Sequence, residues 1–294
     1  MSSSRLIIKE KQPLTQTENN LHHAPGEAVK NGASLERTPL ISRKLRQLGS
    51  ARFNGSDALN PTEIRELSEM LKTSSDDLPL DPHCPSRNRF RKLAWVLVVP
   101  GSSEIVPLSC GRDPKTGEAI SEFYQRSELN PEDGDVVRQF APIARELLDN
   151  ASLRRLILFD LALLSWWSER SKPLLCGLHF IKHVAVPGCD AAASPDCLHR
   201  DGQPFTAAHL IESTHADGGE IFIAPAFYAH RKPSDVPPED ILARFTLRKA
   251  LDSYIVKDVQ VAHYVTPVRV KPGYDRGWRT ILLVDFTPLE PKFV

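Results

Sequence analysis

Apolar positions along the chain follow two different periods. In residues 136–168, Phe140, Ile143, Ala144, Leu147 and Leu148 recur at helical spacing, and beyond Asn150 so do Leu153, Leu156, Ile157, Leu161 and Leu164. The spacing predicts a helical region split near Asn150, each half burying one face as scaffold. A further helix is expected from Asn60, where Asn60-Pro61-Thr62-Glu63 supplies an N-cap, a first-turn proline and a carboxylate at N3 ahead of Ile64, Leu67, Met70 and Leu71. Residues 93–99 read as a strand turned back by Pro100-Gly101.

From residue 174 the texture changes to short β-rich runs at 178–184, 205–212, 220–223, 253–256, 261–268 and 280–286. Asp201-Gly202 and Asp217-Gly218-Gly219 mark the clearest turns between them. Short strands with this punctuation predict an antiparallel barrel or jelly roll, so the fold class is mainly β with helical supports. Residues 224–250, rich in proline and with a basic helical piece expected near 241–249, read as an insertion over one end of the barrel, where lids occur. Residues 1–37 are polar, poor in aromatics and aperiodic, and are expected to be a disordered tail before a folded domain at 38–294 whose β core spans about 174–287.

Composition narrows the function classes. Lysine plus arginine and aspartate plus glutamate both number 37, so there is no electrostatic footprint for nucleic acid or an anionic membrane. The longest apolar run, at 156–167, contains Asp160 and is too short to span a bilayer, and Met1-Ser-Ser-Ser-Arg5 opens no secretory segment. A soluble, cytoplasmic protein acting on a small molecule is the expectation, with no nucleic-acid or membrane partner and a homo-oligomer compatible with the composition. The 5 cysteines (84, 110, 176, 189, 197) form no Cys-x-x-Cys pair, which fits reduced thiols better than a disulfide framework or structural zinc.

The candidate chemistry lies in Leu198-His199-Arg200-Asp201-Gly202 and in His263, about sixty positions downstream. Residues i and i+2 of an extended segment point the same way, so His199 and Asp201 can face one point and His263 can close a triad from a neighbouring strand. Two imidazoles and one carboxylate occupy one face of an octahedral metal and leave the other open, the ligand set of non-haem Fe(II) oxygenases. Alone, His-x-Asp is a common pair that also fits a solvated turn; its neighbours give it weight. Arg279 opens an apolar strand, where a guanidinium facing a barrel interior is costly unless it meets an anion, and its planar fork suits a carboxylate.

The ordered series His199-Arg-Asp201-Gly202, Gly218-Gly219-Glu220, Phe245-Thr-Leu247, Leu251-Asp252, His263-Tyr-Val-Thr-Pro-Val268 and Gly277-Trp-Arg279 resembles the Fe(II)/2-oxoglutarate dioxygenases. Within them it is most similar to the bacterial isoleucine hydroxylases that act on free amino acids. Upstream, Asp81-Pro-His-Cys-Pro-Ser-Arg-Asn-Arg89-Phe90-Arg91 and Tyr124-Gln125 ahead of Asn130 share that resemblance, which covers roughly residues 78–287. It implies a double-stranded β-helix (a cupin-like jelly roll), with Fe(II), 2-oxoglutarate and O2 as cofactors. His199, Asp201 and His263 would be the metal ligands and catalytic centre, Arg279 would bind the distal carboxylate of 2-oxoglutarate, and Arg89 would be a substrate-carboxylate candidate. The implied reaction hydroxylates an unactivated carbon of a free amino or imino acid, with succinate and CO2 as co-products. Desaturation, oxidation or cyclisation of a specialised metabolite shares the same cofactors. A non-catalytic small-acid-binding barrel is the alternative from another class. A zinc hydrolase ranks below these, since no His-Glu-x-x-His helix supplies a base.

The chain departs from the wider superfamily at Ile281, where a hydroxyl is common two residues after the arginine; Thr266, Tyr264 and Thr280 are candidates for that contact. Arg269 and Arg276 are rivals to Arg279. Other conspicuous residues have plainer readings: His209 as a hydrogen-bonded structural histidine, His215 and His230 as exposed, Trp166 and Trp167 as helix packing, and Cys197 as a small apolar strand residue. His179 and His183 share a strand face, yet an x3 pair on a strand spans about 13 Å, too far for joint ligation. The basic cluster Arg87, Arg89, Arg91 and Lys92 reads as a solvated edge.

Overall fold

The computed structural model of the chain describes residues 32–84, 86, 88–99, 101–129 and 134–290. The expected tail up to residue 31, and with it Arg87 and Asn130, lies outside the described residues. Four helices, α1 (Gly32–Leu48), α2 (Pro61–Ser75), α3 (Arg145–Leu148) and α4 (Ala151–Ala162), support the sheets. In chain order the strands are β1 (Ser50–Asn54), β2 (Arg89–Val99), β3 (Glu104–Pro107), β4 (Gly111–Arg112), β5 (Ala119–Tyr124), β6 (Val137–Pro142), β7 (Leu174–Ala185) and β8 (Phe205–Thr214). There follow β9 (Ala216–Gly218), β10 (Glu220–Pro225), β11 (Ala243–Thr246), β12 (Asp252–Lys257), β13 (Val261–Val265), β14 (Val268–Val270) and β15 (Gly277–Pro288).

The large sheet runs β1-β12-β8-β15-β7-β2-β6-β5-β4, with β3 on β2; a smaller sheet is β11-β10-β13, and β14 pairs β9. All pairings are antiparallel except β2 with β6. This is the jelly roll that the turn pattern predicts, in the double-stranded β-helix form that the family resemblance implies. Alternation along each strand divides two apolar layers. On the outer face, Phe180 of β7 and Leu282, Val284 and Phe286 of β15 meet Leu67 and Leu71 of α2 and Leu153, Leu156 and Ile157 of α4. On the inner face, Ala208, Leu210, Tyr254 and Ile281 of the large sheet meet Ile221, Ile223, Val261 and Val265 of the small one. The inner face also carries the polar residues of the site, among them His183, His263 and Arg279.

Where the chain signals its own ends, the sequence reading is close. Asn60 Oδ1 accepts from the amides of Thr62 and Glu63 at 3.0 Å each, and Glu63 accepts from Asn60 N at 2.9 Å, which fixes the start of α2 as the capping box predicts. Four expectations need correction. The stretch expected to be helical from residue 136 begins as β6, since Pro142 cannot continue a helix and Val137–Phe140 find a partner in β5. The basic segment near 241–249 is not helical but edge strand β11, paired with β10. Helix α1 begins at Gly32, inside the stretch read as tail; Ile41 and Leu45 bury its face, a signal too sparse to stand out. The run 261–268 is two strands, broken at Pro267.

His209, on the outer face of β8, joins α4 to the sheet. Its Nε2 lies 2.9 Å from Asp160 Oδ2 and its Nδ1 2.8 Å from Ser253 Oγ, with all three side chains buried. Burial pushes the Asp160 carboxyl upward, partly offset by His209. This is the structural histidine expected from sequence. Asp160→Ala removes one partner of a buried pair and should lower unfolding free energy by about 3 kcal/mol. Urea denaturation checks this; a loss indistinguishable from zero would mean that the network holds nothing.

Candidate active site

His199 lies outside the regular strands, on an extended segment that forms an isolated antiparallel bridge with His263 of β13. His199 N donates to His263 O at 2.9 Å and His263 N donates to His199 O at 3.0 Å. Such a mutually bonded pair sets the two side chains beside each other on one face, and the ring centroids are 4.3 Å apart. Asp201, two residues on, brings its carboxylate to both: Oδ1 is 3.6 Å from His199 Nε2 and Oδ2 is 3.7 Å from His263 Nε2. One ligand atom from each residue lies within 4.8 Å of the others. Both imidazoles are buried. The donor set is two nitrogens and one oxygen on one side of a common point, which fits an octahedral Fe(II) with an open face.

The segment is clamped from behind. Asp201 N donates to Asp258 Oδ1 at 2.6 Å, Arg200 Nε donates to Asp258 O at 2.8 Å, and Gln125 Nε2 donates to Asp201 O at 2.7 Å. Gly202, with φ of 89°, lets the chain turn away after the carboxylate. Burial and the charge of Asp201 push Asp258 up to about 6. Burial also raises Asp201, but the His263 and His199 imidazoles outweigh it and hold this carboxyl well below the usual range. Burial and the neighbouring His199 push His263 down to about 4. Near neutral pH, Asp201 is therefore ionised and His263 neutral, the forms that ligate a metal.

Arg279 lies on the inner face of β15 in a cavity of ≈ 80 Å³ that also touches His199, Asp201, His263, His183 and Tyr254. Its guanidinium is buried, its Nε has no hydrogen-bond partner and, among the described residues, no carboxylate reaches it. Burial pushes it down to about 10, so it stays charged. A buried cation without a counter-ion costs several kcal/mol, roughly, unless a ligand supplies the anion. Gly219 makes room for it: a Cβ there would sit 2.8 Å from Arg279 Cδ and Nε, and the φ of 65° disfavours other residues. The rivals Arg269 and Arg276 are exposed on the surface.

None of the three hydroxyls considered for the missing contact faces this cavity. Thr266 Oγ1 accepts from Glu220 N, Thr280 Oγ1 donates to Glu212, and Tyr264 packs beside Phe222. The hydroxyl-bearing residues that do line it are Ser194, Thr206 and Tyr254; burial and Asp201 raise the Tyr254 pKa, so its hydroxyl remains a donor. Tyr254 carries no signal in a single sequence, since it reads as an ordinary strand aromatic. His183 is buried in the same cavity with Nδ1 unpartnered, and burial with Arg279 pushes it down to about 3. His179 lies further along the inner face, bonded to Asp285. Neither belongs to the metal cluster.

The basic cluster is not a solvated edge. Arg91 is buried and Arg89 half-buried, because β2 starts at residue 89 and turns both inward, while Lys92 pairs outward with Asp77. Arg89 lines a second cavity, of ≈ 170 Å³, that reaches His199 and Asp201 but is not lined by Arg279; its Nε donates to buried Asp81 at 2.6 Å. His215 is half-buried against Tyr274 and Trp278 rather than exposed, whereas His230 is exposed. Trp166 and Trp167 pack on Phe205 as expected. Cys197 is half-buried.

A family profile described as 2OG-Fe dioxygenase matches residues 72–285. The chain belongs to that family. It is accordingly an oxidoreductase that uses Fe(II), 2-oxoglutarate and O2. Among curated proteins it is 31% identical over 175 residues to an L-isoleucine-4-hydroxylase of Bacillus thuringiensis, covering 58% of this chain and 68% of that one. It is 26% identical over 239 residues to a 3(1)-hydroxy-L-isoleucine 4-dioxygenase of Pantoea ananatis (strain AJ13355), covering 79% and 86%. The crystal structure of a bsmA homolog from Methylobium petroleophilum PM1 shares the fold at a TM-score of 0.70 and 18% identity, over 87% of this chain and 96% of that one. No helix among the described residues is long and apolar enough to cross a membrane.

His263 and His183 have pKa values below the ordinary histidine range, so in acid the unfolded chain takes up protons before the folded one. Their contribution to stability is full above about pH 6.5 and falls as pH drops through about 4 and 3. The metal-free protein should therefore lose stability steadily between pH 6.5 and 4, and His183→Gln should flatten that slope. Thermal melts across this range test it; equal slopes in both proteins would contradict the assignment.

Proposed function

We propose that the chain hydroxylates an unactivated carbon of a free aliphatic amino acid. His199, Asp201 and His263 would hold Fe(II), and Arg279 would receive the distal carboxylate of 2-oxoglutarate with Tyr254 beside it. The observation that carries this reading is the buried, unpaired Arg279 guanidinium in the same cavity as the two-imidazole, one-carboxylate cluster. When bound, iron and 2-oxoglutarate supply the oxidising chemistry, in which one oxygen atom enters succinate as CO2 leaves and the other enters the product. The protein's part is placement. The triad would hold the metal, Asp258 and Gln125 fix the segment that bears Asp201, and Arg279 with Gly219 would set the position of the dicarboxylate. Ile181, Ile281 and Leu283 wall the cavities with apolar surface and exclude water. The amino-acid substrate is supported by the kinship with isoleucine-acting enzymes and by the small second cavity lined by His199 and Asp201. A barrel that had lost catalysis would have no physical need to keep a buried unpaired cation beside two buried imidazoles.

Fe(II)-loaded protein with ascorbate and 2-oxoglutarate should release succinate in step with a product heavier by one oxygen when offered the right amino acid. A product lighter by two hydrogens would instead mean desaturation, and no coupled turnover across the aliphatic amino acids would reject the substrate class. Asp201→Ala should abolish coupled turnover, and a wild-type rate would reject the metal assignment. Gly219→Ala should raise the KM for 2-oxoglutarate by roughly 10-fold or more through displacement of Arg279, with iron stoichiometry retained. An unchanged KM would remove Arg279 from that role.

A further inference from the structure

The second cavity, of ≈ 170 Å³, is smaller than the roughly 300–1,000 Å³ typical of drug-sized ligands, so it suits a compact molecule. Three arginines reach it, and they differ in what already holds them. Arg89 is ion-paired with buried Asp81. Arg138 donates from Nη2 to Gln125 Oε1 at 2.8 Å. Arg91 is only 7% exposed, its Nε has no hydrogen-bond partner and, among the described residues, no carboxylate lies within ion-pair distance of it. Its faces rest on Phe140 and Phe123, with Cζ 4.3 and 5.7 Å from the ring centroids.

One Nη2 of Arg91 is bonded to His179 Nδ1. A guanidinium can only donate, so His179 Nδ1 is the acceptor and the imidazole is neutral, with its proton on Nε2. Nε2 then donates to Asp285 Oδ2 at 2.9 Å, and Asp285 Oδ1 accepts from Gly177 N at 3.2 Å. Gly177 leaves the space for this relay, since a Cβ there would lie 2.9 Å from His179 Nε2 and closer still to Asp285 Oδ2. The chain of bonds aims Arg91 without supplying it an anion, because a neutral ring stands between it and the carboxylate. A fixed, buried cation with spare donors at the wall of a small cavity is a receptor for a carboxylate.

We propose that Arg91, rather than Arg89, receives the α-carboxylate of the amino-acid substrate, held in position by His179 and Asp285, while Ile181 and Leu283 face the aliphatic side chain. This rests on the reading of the chain as an amino-acid hydroxylase and names the residue that selects a free acid. Arg89 and Arg138 add positive potential at the same wall and, after burial itself, depress the Arg91 pKa to about 9, so it stays charged at neutral pH and gains from an arriving anion.

The test is calorimetric binding under anaerobic conditions, with Fe(II) and 2-oxoglutarate present, of L-isoleucine, L-leucine and L-valine and of their amides. Wild type should bind at least one free acid roughly 30-fold more tightly than its amide. Arg91→Gln should weaken the acid by about the same factor and bring acid and amide within about 3-fold of each other, with Arg91→Lys in between. Lys92→Gln, on the outer face, should bind as wild type does. Wild type that binds acid and amide equally overturns the proposal without recourse to any variant, as does an Arg91→Gln protein that keeps the full discrimination. Binding of 2-oxoglutarate alone separates the two levels: if it binds but none of the free acids does, this inference falls and the cofactor assignment stands, whereas failure to bind 2-oxoglutarate removes the reading beneath it.

Discussion

The bridge between His199 and His263 is the constraint on which the site depends. Two reciprocal backbone hydrogen bonds place the imidazoles side by side on one face, and the period of an extended chain then delivers Asp201 to the same point. A slip of one residue in this pairing would turn an imidazole to the opposite face. The fold guards the register at both ends: Asp258 and Gln125 hold Asp201's backbone, and on the other side β13 pairs with β10 through Ile223 opposite His263. The large sheet and its helices are the rigid wall against which this short bridge is fixed.

Around that point the two cavities hold three buried guanidinium groups, Arg279 in one and Arg91 and Arg138 in the other; Arg138 is held by Gln125, and the carboxylate of Asp201 reaches both cavities. The Arg279 and Arg91 guanidiniums are each a cost to the folded protein that a ligand carboxylate would offset. Both are accommodated by a glycine that lacks the side chain the space would otherwise hold, Gly219 beside Arg279 and Gly177 beneath the His179–Asp285 relay. Function is thus stored as unmet electrostatic demand on an inner face that also carries the apolar side chains of Ile181, Ile281 and Leu283.

Much of this was legible in the chain, for identifiable reasons. Asn60 and Glu63 announced α2 because capping is a local event. The strands from residue 174 onward announced themselves by turn residues, and His199, Asp201, His263 and Arg279 by their order. Legibility failed where a distant partner decides the outcome. Residues 137–142 carry helix-like apolar spacing but pair with β5, and Arg91 looks solvated until β2 is seen to extend to residue 89. Tyr254, Asp258 and the His179 relay are recognisable only in three dimensions, since none has a spacing signature relative to the residue it serves.

Iron K-edge X-ray absorption of the anaerobic Fe(II) protein measures the central geometry most directly. Scattering from two imidazoles should be seen in the wild type, with six-coordinate iron, and should fall to one in His263→Ala. Iron bound with no imidazole, or a spectrum unmoved by that substitution, would contradict that geometry.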